Sequence, residues 1–179
     1  MEGVLTRLRG VEESDAPLLH AWDNDPEIRA ALDVVFPVTI SSTTEYIREI
    51  TGSRDGVLFI VSDRETEAPI GFTTLYDIDW IARKAEFGII IGDKRYWSRG
   101  YGTDAALATL SFAFDDLGLH RVYLSTYSYH PRAIRVCEKC GFVREGVMRK
   151  ARYHHGAYHD VVLMGILYDE FAAHRGRPP

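Results

Sequence analysis

Apolar and polar positions along the chain follow two rhythms. Val4-Leu5-Thr6-Arg7-Leu8-Arg9 alternates with a period of two and predicts a strand. Ser14 then opens a helix with Asp15 and Pro17 in its first turn, where acids and proline are favoured. Leu18, Leu19 and Trp22 give that helix its apolar face; Asn24-Asp25-Pro26 interrupts it, and helical pattern resumes over 27–32. Ser42-Thr43-Thr44-Glu45 has the spacing of a capping box and predicts a helix through Tyr46, Ile47 and Ile50 to Gly52. Three strands follow, over 57–62, 70–76 and 86–91. A glycine-bearing loop over 94–103 then leads into the clearest helix, where Ala106, Leu107, Leu110, Ala113, Phe114 and Leu117 recur at helical spacing before Gly118. The pattern next gives a strand over 122–126, a short helix over 131–139 stopped by Gly141, and a hairpin of 142–153 with 158–167 that turns at His155-Gly156. The order β, α, α, βββ, α, β, α, ββ predicts a mixed α/β (α+β) fold, neither strictly alternating nor segregated.

Length and composition narrow this reading. A chain of 179 residues suits one domain, read here as 1–174, with a frayed tail over 175–179. With 46% apolar and 26% charged residues it has ordinary globular composition. The formal net charge of −5 argues against nucleic acid as a partner, though not against a small phosphate on a local patch. Two cysteines are too few for a disulfide scaffold. No apolar run approaches the roughly 20 residues of a membrane helix, and the first residues lack a leader pattern. The expectation is a cytoplasmic domain with no membrane partner.

The richest segment runs from Trp97 through Ser98, Arg99, Gly100, Tyr101, Gly102 and Thr103 to Asp104 and Ala105. Glycines here let the backbone approach a ligand, and the free N–H groups of a helix start favour an anion. Gly100 to Ala105 matches the dinucleotide fingerprint letter by letter. That motif sits tightly after its strand, whereas eight residues separate Ile91 from Gly100, and strand 122–126 leads to Tyr127-Ser128-Tyr129 rather than to an acid. A P-loop would need Gly-Lys-Ser/Thr, which is absent; a plain helix-entry loop stays open. Cys137 and Cys140 form a C-x-x-C, yet they share an apolar helix face with Ala133 and Val136, as structural cysteines do. His154, His155, His159 and Asp160 cluster at a turn without ligand spacing, so no metal is expected.

Three segments, in order, resemble the GNAT superfamily of N-acetyltransferases. Gly100 and Gly102 match the glycines of its Q/R-x-x-G-x-G/A motif, with Trp97 at the Gln/Arg position, as in the branch of ribosomal-protein and spermidine acetyltransferases. Ala85-Glu86-Phe87-Gly88-Ile89-Ile90-Ile91 resembles its fourth strand, and the run from Pro131 to Phe142 resembles its next motif. The resemblance implies a mostly antiparallel twisted sheet with two splayed parallel strands and flanking helices, and transfer of acetyl from acetyl-CoA to a primary amine in a ternary complex. Carried onto this chain, Ile89, Ile90 and Ile91 would bind pantetheine, and Trp97, Ser98, Arg99, Gly100, Tyr101, Gly102 and Thr103 the pyrophosphate. His130 stands where relatives carry a pantetheine-binding asparagine. Arg132, Arg135 and Lys139, a basic stripe on one helix, would reach the 3′-phosphate.

For the chemistry, Glu86 matches the family's base, with Asp77 and Asp79 as weaker candidates. Cys137 stands at the position of the usual proton-donating tyrosine, and Tyr129 or Tyr127 is a possible substitute. The alternative is an acetyl-CoA-binding module with little turnover. The acceptor, a small-molecule amine or a protein N-terminus, would enter beside the first helices and the last hairpin. Eight acids against three basic residues over 1–33 would draw a cation. The apolar loop Val34-Val35-Phe36-Pro37-Val38 speaks against polyamines, and Tyr153, His154 and Tyr158 would form the opposite wall. Relatives are often dimers, so a homodimer is a further expectation.

Overall fold

The computed structural model describes residues 1–32 and 36–176. Strand β1 spans Thr6–Gly10. A single 3-10 turn, Glu13–Asp15, leads into α1 (Ala16–Asp23), followed by α2 (Pro26–Leu32) and α3 (Ile40–Gly52). Strands β2 (Val57–Asp63), β3 (Pro69–Asp79) and β4 (Lys84–Ile91) then form a meander. Helix α4 (Tyr101–Ser111) continues as a π turn over Phe112–Asp116 and leads to β5 (Arg121–Tyr127) and α5 (Pro131–Lys139). Strands β6 (Val143–His154) and β7 (Ala157–Leu167) make the hairpin, and α6 (Tyr168–Arg175) follows.

The mixed α/β reading holds, and most elements lie where the pattern places them. Three differences have physical causes. Helix α3 starts earlier than the Ser42 box: the reciprocal bonds are made by Thr39, whose hydroxyl accepts from the Ser42 N–H at 3.1 Å while the Thr39 N–H donates to Ser42 Oγ at 3.0 Å. Helix α1 starts later than Ser14, because the Asp15 carboxylate is held outside it by two 2.7 Å bonds from Arg9. Helix α6 was not foreseen. It buries Phe171 completely against Phe114, and Arg175 pairs with Asp115 at 2.6 Å, so Arg175 belongs to a helix rather than a frayed tail. Residues 177–179 of that tail lie outside the described residues.

The seven strands form one sheet in the order β1-β2-β3-β4-β5-β7-β6. Every neighbouring pair is antiparallel except β4 and β5. Those two pair only at Lys84↔Arg121, Ala85↔Val122 and Glu86↔Tyr123. Beyond Glu86 they part, so the β4 edge from Phe87 to Ile91 has no strand beside it. The two faces of the sheet carry separate cores. Leu75, Phe87, Val122 and Leu124 pack with α4, α5 and α6 residues such as Leu110, Ile134 and Phe171. Leu58, Ile60 and Phe72 pack on the other face with Leu19, Trp22 and Ile47 of α1 and α3. The alternation of β4 therefore sends Phe87 and Ile89 to the α4 side and Ile90 to the α1–α3 side.

Candidate active site

The parted strands open toward the start of α4. Gly100 caps that helix at φ +91°, a left-handed backbone that glycine adopts without penalty, and Ser98 is left-handed at +59°. Left-handed residues flanking Arg99 turn successive N–H groups into a concavity suited to an anion. Asp104 N–H is the first to bond within the helix, to Gly100 at 3.0 Å; the N–H groups of Tyr101 to Thr103 precede it and are the orphan donors of the helix start. A Cβ on Gly102 would point between Ile91 Cγ1 at 3.7 Å and Val136 Cγ2 at 3.9 Å, that is, into the gap between β4 and α5. These features fit a pyrophosphate held by backbone.

Side chains of this loop serve the frame instead. The Trp97 indole N–H donates to the Ile91 carbonyl at 2.6 Å, and its ring lies under the Arg132 guanidinium at 5.2 Å. The Tyr101 hydroxyl donates to Asp63 at 2.7 Å and, with Thr66, holds that carboxyl at about 2. Arg99 rests against the rings of Tyr96 and Tyr101. Asp104 would repel phosphate, but its carboxylate is turned away. It accepts from the N–H groups of Val4, Leu5 and Thr6 and from the Thr6 hydroxyl at 2.7–3.0 Å. The sequence reading missed this anchor, since nothing local links residues 98 positions apart.

Helix α5 brings Arg132 to the mouth through Trp97. Arg135 instead lines a groove with Ser128, Glu138 and Arg144 on the hairpin side, and Lys139 is exposed. His130 makes edge-to-face contacts with Tyr127 and Tyr129, and the backbone of Ala30 in α2 lies beside its ring. Burial and the nearby His154 push the His130 ring below the usual histidine range. Tyr129 is sandwiched between Tyr127 and His154, with centroids at 5.2 and 4.4 Å; its hydroxyl is buried and finds no partner among the described residues. Cys137 is 4% exposed inside the core, and burial pushes its thiol up to about 12. Cys140, fully buried, lies 3.7 Å from the Thr103 carbonyl and is likewise pushed up to about 12. Neither has the exposed, acidified character of a redox cysteine.

On the α1–α3 face, Glu86 stands across from Tyr76 on β3 and beside Tyr123 on β5. The Tyr76 side chain faces Glu86 across this pair, and burial together with that carboxylate raises its pKa. Thr74, two residues earlier on the same face, donates its hydroxyl hydrogen to the Val57 carbonyl at 3.1 Å and neighbours Tyr46 of α3. Asp77 sits at a bulge in β3 with φ +52°, and its charge acts on Tyr76 and Tyr123. The Asp79 carboxylate caps the next turn through the Ile81 and Ala82 N–H groups at 3.0 and 2.8 Å, which removes it as a base. Tyr46, Thr74, Tyr76 and Tyr123 were not singled out in the sequence; the period-two pattern of β3 and β5 was the available signal. Tyr153 and Tyr158 contact each other and remain exposed, whereas His154 and His159 reach Tyr129 at the β5–α5 corner. Among the described residues no group of three or more metal-ligating side chains converges, and no helix is long and apolar enough to cross a membrane.

Residues 6–143 match the family model for the acetyltransferase (GNAT) domain. The chain belongs to the GNAT acetyltransferases. It is 30% identical over 168 residues to the spermidine N(1)-acetyltransferase of Vibrio cholerae serotype O1, covering 92% of this chain and 94% of that one. The crystal structure of spermidine N-acetyltransferase from Vibrio cholerae in complex with CoA and spermine superposes with a TM-score of 0.86 at 28% identity, covering 94% and 98%. A dodecameric structure of spermidine N-acetyltransferase from the same organism gives 0.81 at 27%, covering 97% and 99%. The protein is therefore an acyl-CoA-dependent GNAT enzyme that moves acetyl from acetyl-CoA to an amine.

Proposed function

We propose that acetyl-CoA enters the gap between β4 and β5, with its pyrophosphate on the N–H groups from Ser98 to Thr103 and its pantetheine along Ile89 to Ile91. The observation that carries this reading is the parting of β4 and β5 beyond Glu86↔Tyr123, directly opposite the start of α4. Arg132, held over Trp97, is the nearest support for the 3′-phosphate; Arg135 and Lys139 add positive charge to the same helix. His130 frames the corner where the pantetheine would pass.

Acetyl-CoA supplies the acetyl group as a thioester. Glu86 takes the proton of the incoming ammonium, directly or through water; an alkyl ammonium has a pKa of about 10.4 and must lose that proton to attack. The unpaired edge of β4 offers donors for the carbonyl oxygen. Tyr129 supports return of a hydrogen to the leaving sulfur better than Cys137 does. Its hydroxyl is unpartnered at the β5–α5 corner, whereas the Cys137 thiol is enclosed in the core; burial raises the pKa of both groups, so access and not acidity separates them.

The acceptor is read as a small primary amine, for which the spermidine-acetylating relatives make polyamines the first compounds to assay. The dodecameric neighbour makes self-association, a dimer or larger, the expected state. One domain over 1–174 and residence in the cytoplasm complete the reading. The test combines acetyl-CoA, a panel of amines and a free-thiol assay. Thiol release that depends on an amine is expected; tight acetyl-CoA binding with no release for any amine would leave only a binding module.

A further inference from the structure

Four rings enclose Tyr129, and they come from two parts of the chain. Tyr127 lies against one face of its ring at 5.2 Å with the planes 9° apart, and His154 against the other at 4.4 Å and 7°. His130 and His159 meet it edge to face, at 82° and 70°, with centroids at 4.5 and 4.7 Å. Tyr127 and His130 are local: they flank Tyr129 at the end of β5, where the His130 N–H donates to the Tyr127 carbonyl at 2.8 Å. His154 and His159 are delivered by the β6–β7 hairpin.

That hairpin is fastened to the corner through Asp160. The Ser128 N–H donates to the Asp160 carbonyl at 3.0 Å, and the Asp160 carboxylate accepts the Lys150 N–H at 2.8 Å. Lys150 is left-handed at φ +52° and lies in the irregular stretch of β6 between Met148 and Arg152, where the register with β7 shifts. Such an irregularity bends a strand and re-aims the side chains beyond it. Here the re-aimed end sets the Arg152 guanidinium over the Tyr127 ring at 5.6 Å and His154 on Tyr129.

This enclosure has a chemical use. The Tyr129 hydroxyl is buried and has no hydrogen-bond partner among the described residues, so the ring contacts orient it. Free acidities of about 10 for a tyrosine and about 8.5 for a thiol run against proton transfer from the first to the second. The Tyr129 O–H bond must therefore break as the carbon–sulfur bond breaks. The proton passes to sulfur, CoA leaves as the thiol, and the tyrosinate recovers a proton from water. A transfer timed in this way needs the hydroxyl in place, and a displacement of about 1 Å can cost a hundredfold in rate.

We infer that His154 is a positioning residue for transfer: stacked on Tyr129, it holds that hydroxyl at the leaving sulfur, so that the β6–β7 hairpin completes the site. The inference rests on the reading of Tyr129 as the proton donor. It assigns the role to a flat ring, so phenylalanine can stand in for His154 and glutamine cannot.

The test follows thiol release from acetyl-CoA with the fastest amine of the panel. It compares the wild type, Tyr129→Phe, His154→Gln, His154→Phe and a double variant carrying Tyr129→Phe and His154→Gln. His154→Gln should lower kcat by about tenfold or more while KM for acetyl-CoA stays within about twofold. His154→Phe should recover most of the rate, because the stacked pair is retained. The double variant should be no slower than Tyr129→Phe, since a ring without its hydroxyl leaves nothing to position. A defect of folding would instead add to the loss of Tyr129→Phe, raise KM and lower the thermal midpoint. Wild-type kcat in His154→Gln, no recovery in His154→Phe, or additive losses in the double variant would overturn the inference and leave Tyr129 as the donor. Full turnover by Tyr129→Phe would remove Tyr129 as the donor, and the inference with it.

Discussion

At the scale of single residues, the site sets two nearby groups to different tasks. Glu86 is half-buried beside Tyr76 and Tyr123, on an open face that an amine can reach. Cys137 lies one layer away, within the core formed by Leu110, Phe142 and Met164. Glu86→Gln keeps shape and the Tyr76 contact but cannot take a proton. Turnover near neutral pH should fall by about a hundredfold or more, with acetyl-CoA affinity retained in a calorimetric titration. An unaltered rate would remove Glu86 as the base. Cys137→Ala should instead cost stability by opening a small cavity while turnover persists, since its thiol is enclosed in the core. A thermal melt beside a turnover assay separates these outcomes, and loss of turnover in a well-folded Cys137→Ala protein would reinstate the thiol.

At the scale of elements, the start of α4 is held on one side so that its other side is free. Asp104 ties it to residues 4–6, and Tyr101 ties it to the end of β2 through Asp63. The Asp63 carboxyl, at about 2 when folded and near the ordinary 3.8 when unfolded, contributes stability above pH 4 that is lost as pH falls toward 2. Tyr101→Phe should therefore lower stability near pH 7. That deficit should shrink across the pH 4 to 2 window in urea melts; a constant deficit would mean the hydroxyl acts through packing. Gly102→Val tests the free side. The added Cβ meets only ordinary contacts with Ile91 and Val136, and the branched methyls extend into the gap, so acetyl-CoA affinity should drop. Unaltered affinity would refute the placement of the pyrophosphate.

Most of these elements were legible because each is written locally. Pro131 to Lys139 reads as one helix from its proline start to the Gly141 stop, and the structure agrees. The glycines of the α4 loop likewise announce themselves. What was not legible depends on partners distant in the chain. Thr39 takes the capping role from Ser42 only because the loop delivers it to the helix axis, and Asp104 looks like a phosphate-loop residue until residues 4–6 claim it. The acidic surplus over 1–33 is smaller than its sum for the same reason, since Arg48 and Lys94 pair with part of it from elsewhere in the chain.

At the scale of the whole molecule, the sheet parts between β4 and β5 while one core, with Phe87 stacked on Phe142, runs beneath the gap. Strands β1 to β4 lie on one side and β5 to β7 on the other, joined within the sheet only by the three pairs ending at Glu86↔Tyr123. Helices α4 and α5 bridge the rest, through contacts such as Gly102 with Val136 and Cys140 with the Thr103 carbonyl. A ligand lying along Phe87 to Ile91 would fill the gap in the sheet and bind the native state alone. Mass action then gives about 2.7 kcal/mol of added stability at a concentration one hundred times the dissociation constant. For a chain of this size that corresponds to a rise of roughly 5–10 °C in the thermal midpoint. Amide exchange should slow in β4 beyond Glu86 and at the start of α4 together, because one molecule covers both. Protection confined to the α4 loop would show that acetyl-CoA is held by its phosphates alone, and that the gap between the strands is not its bed.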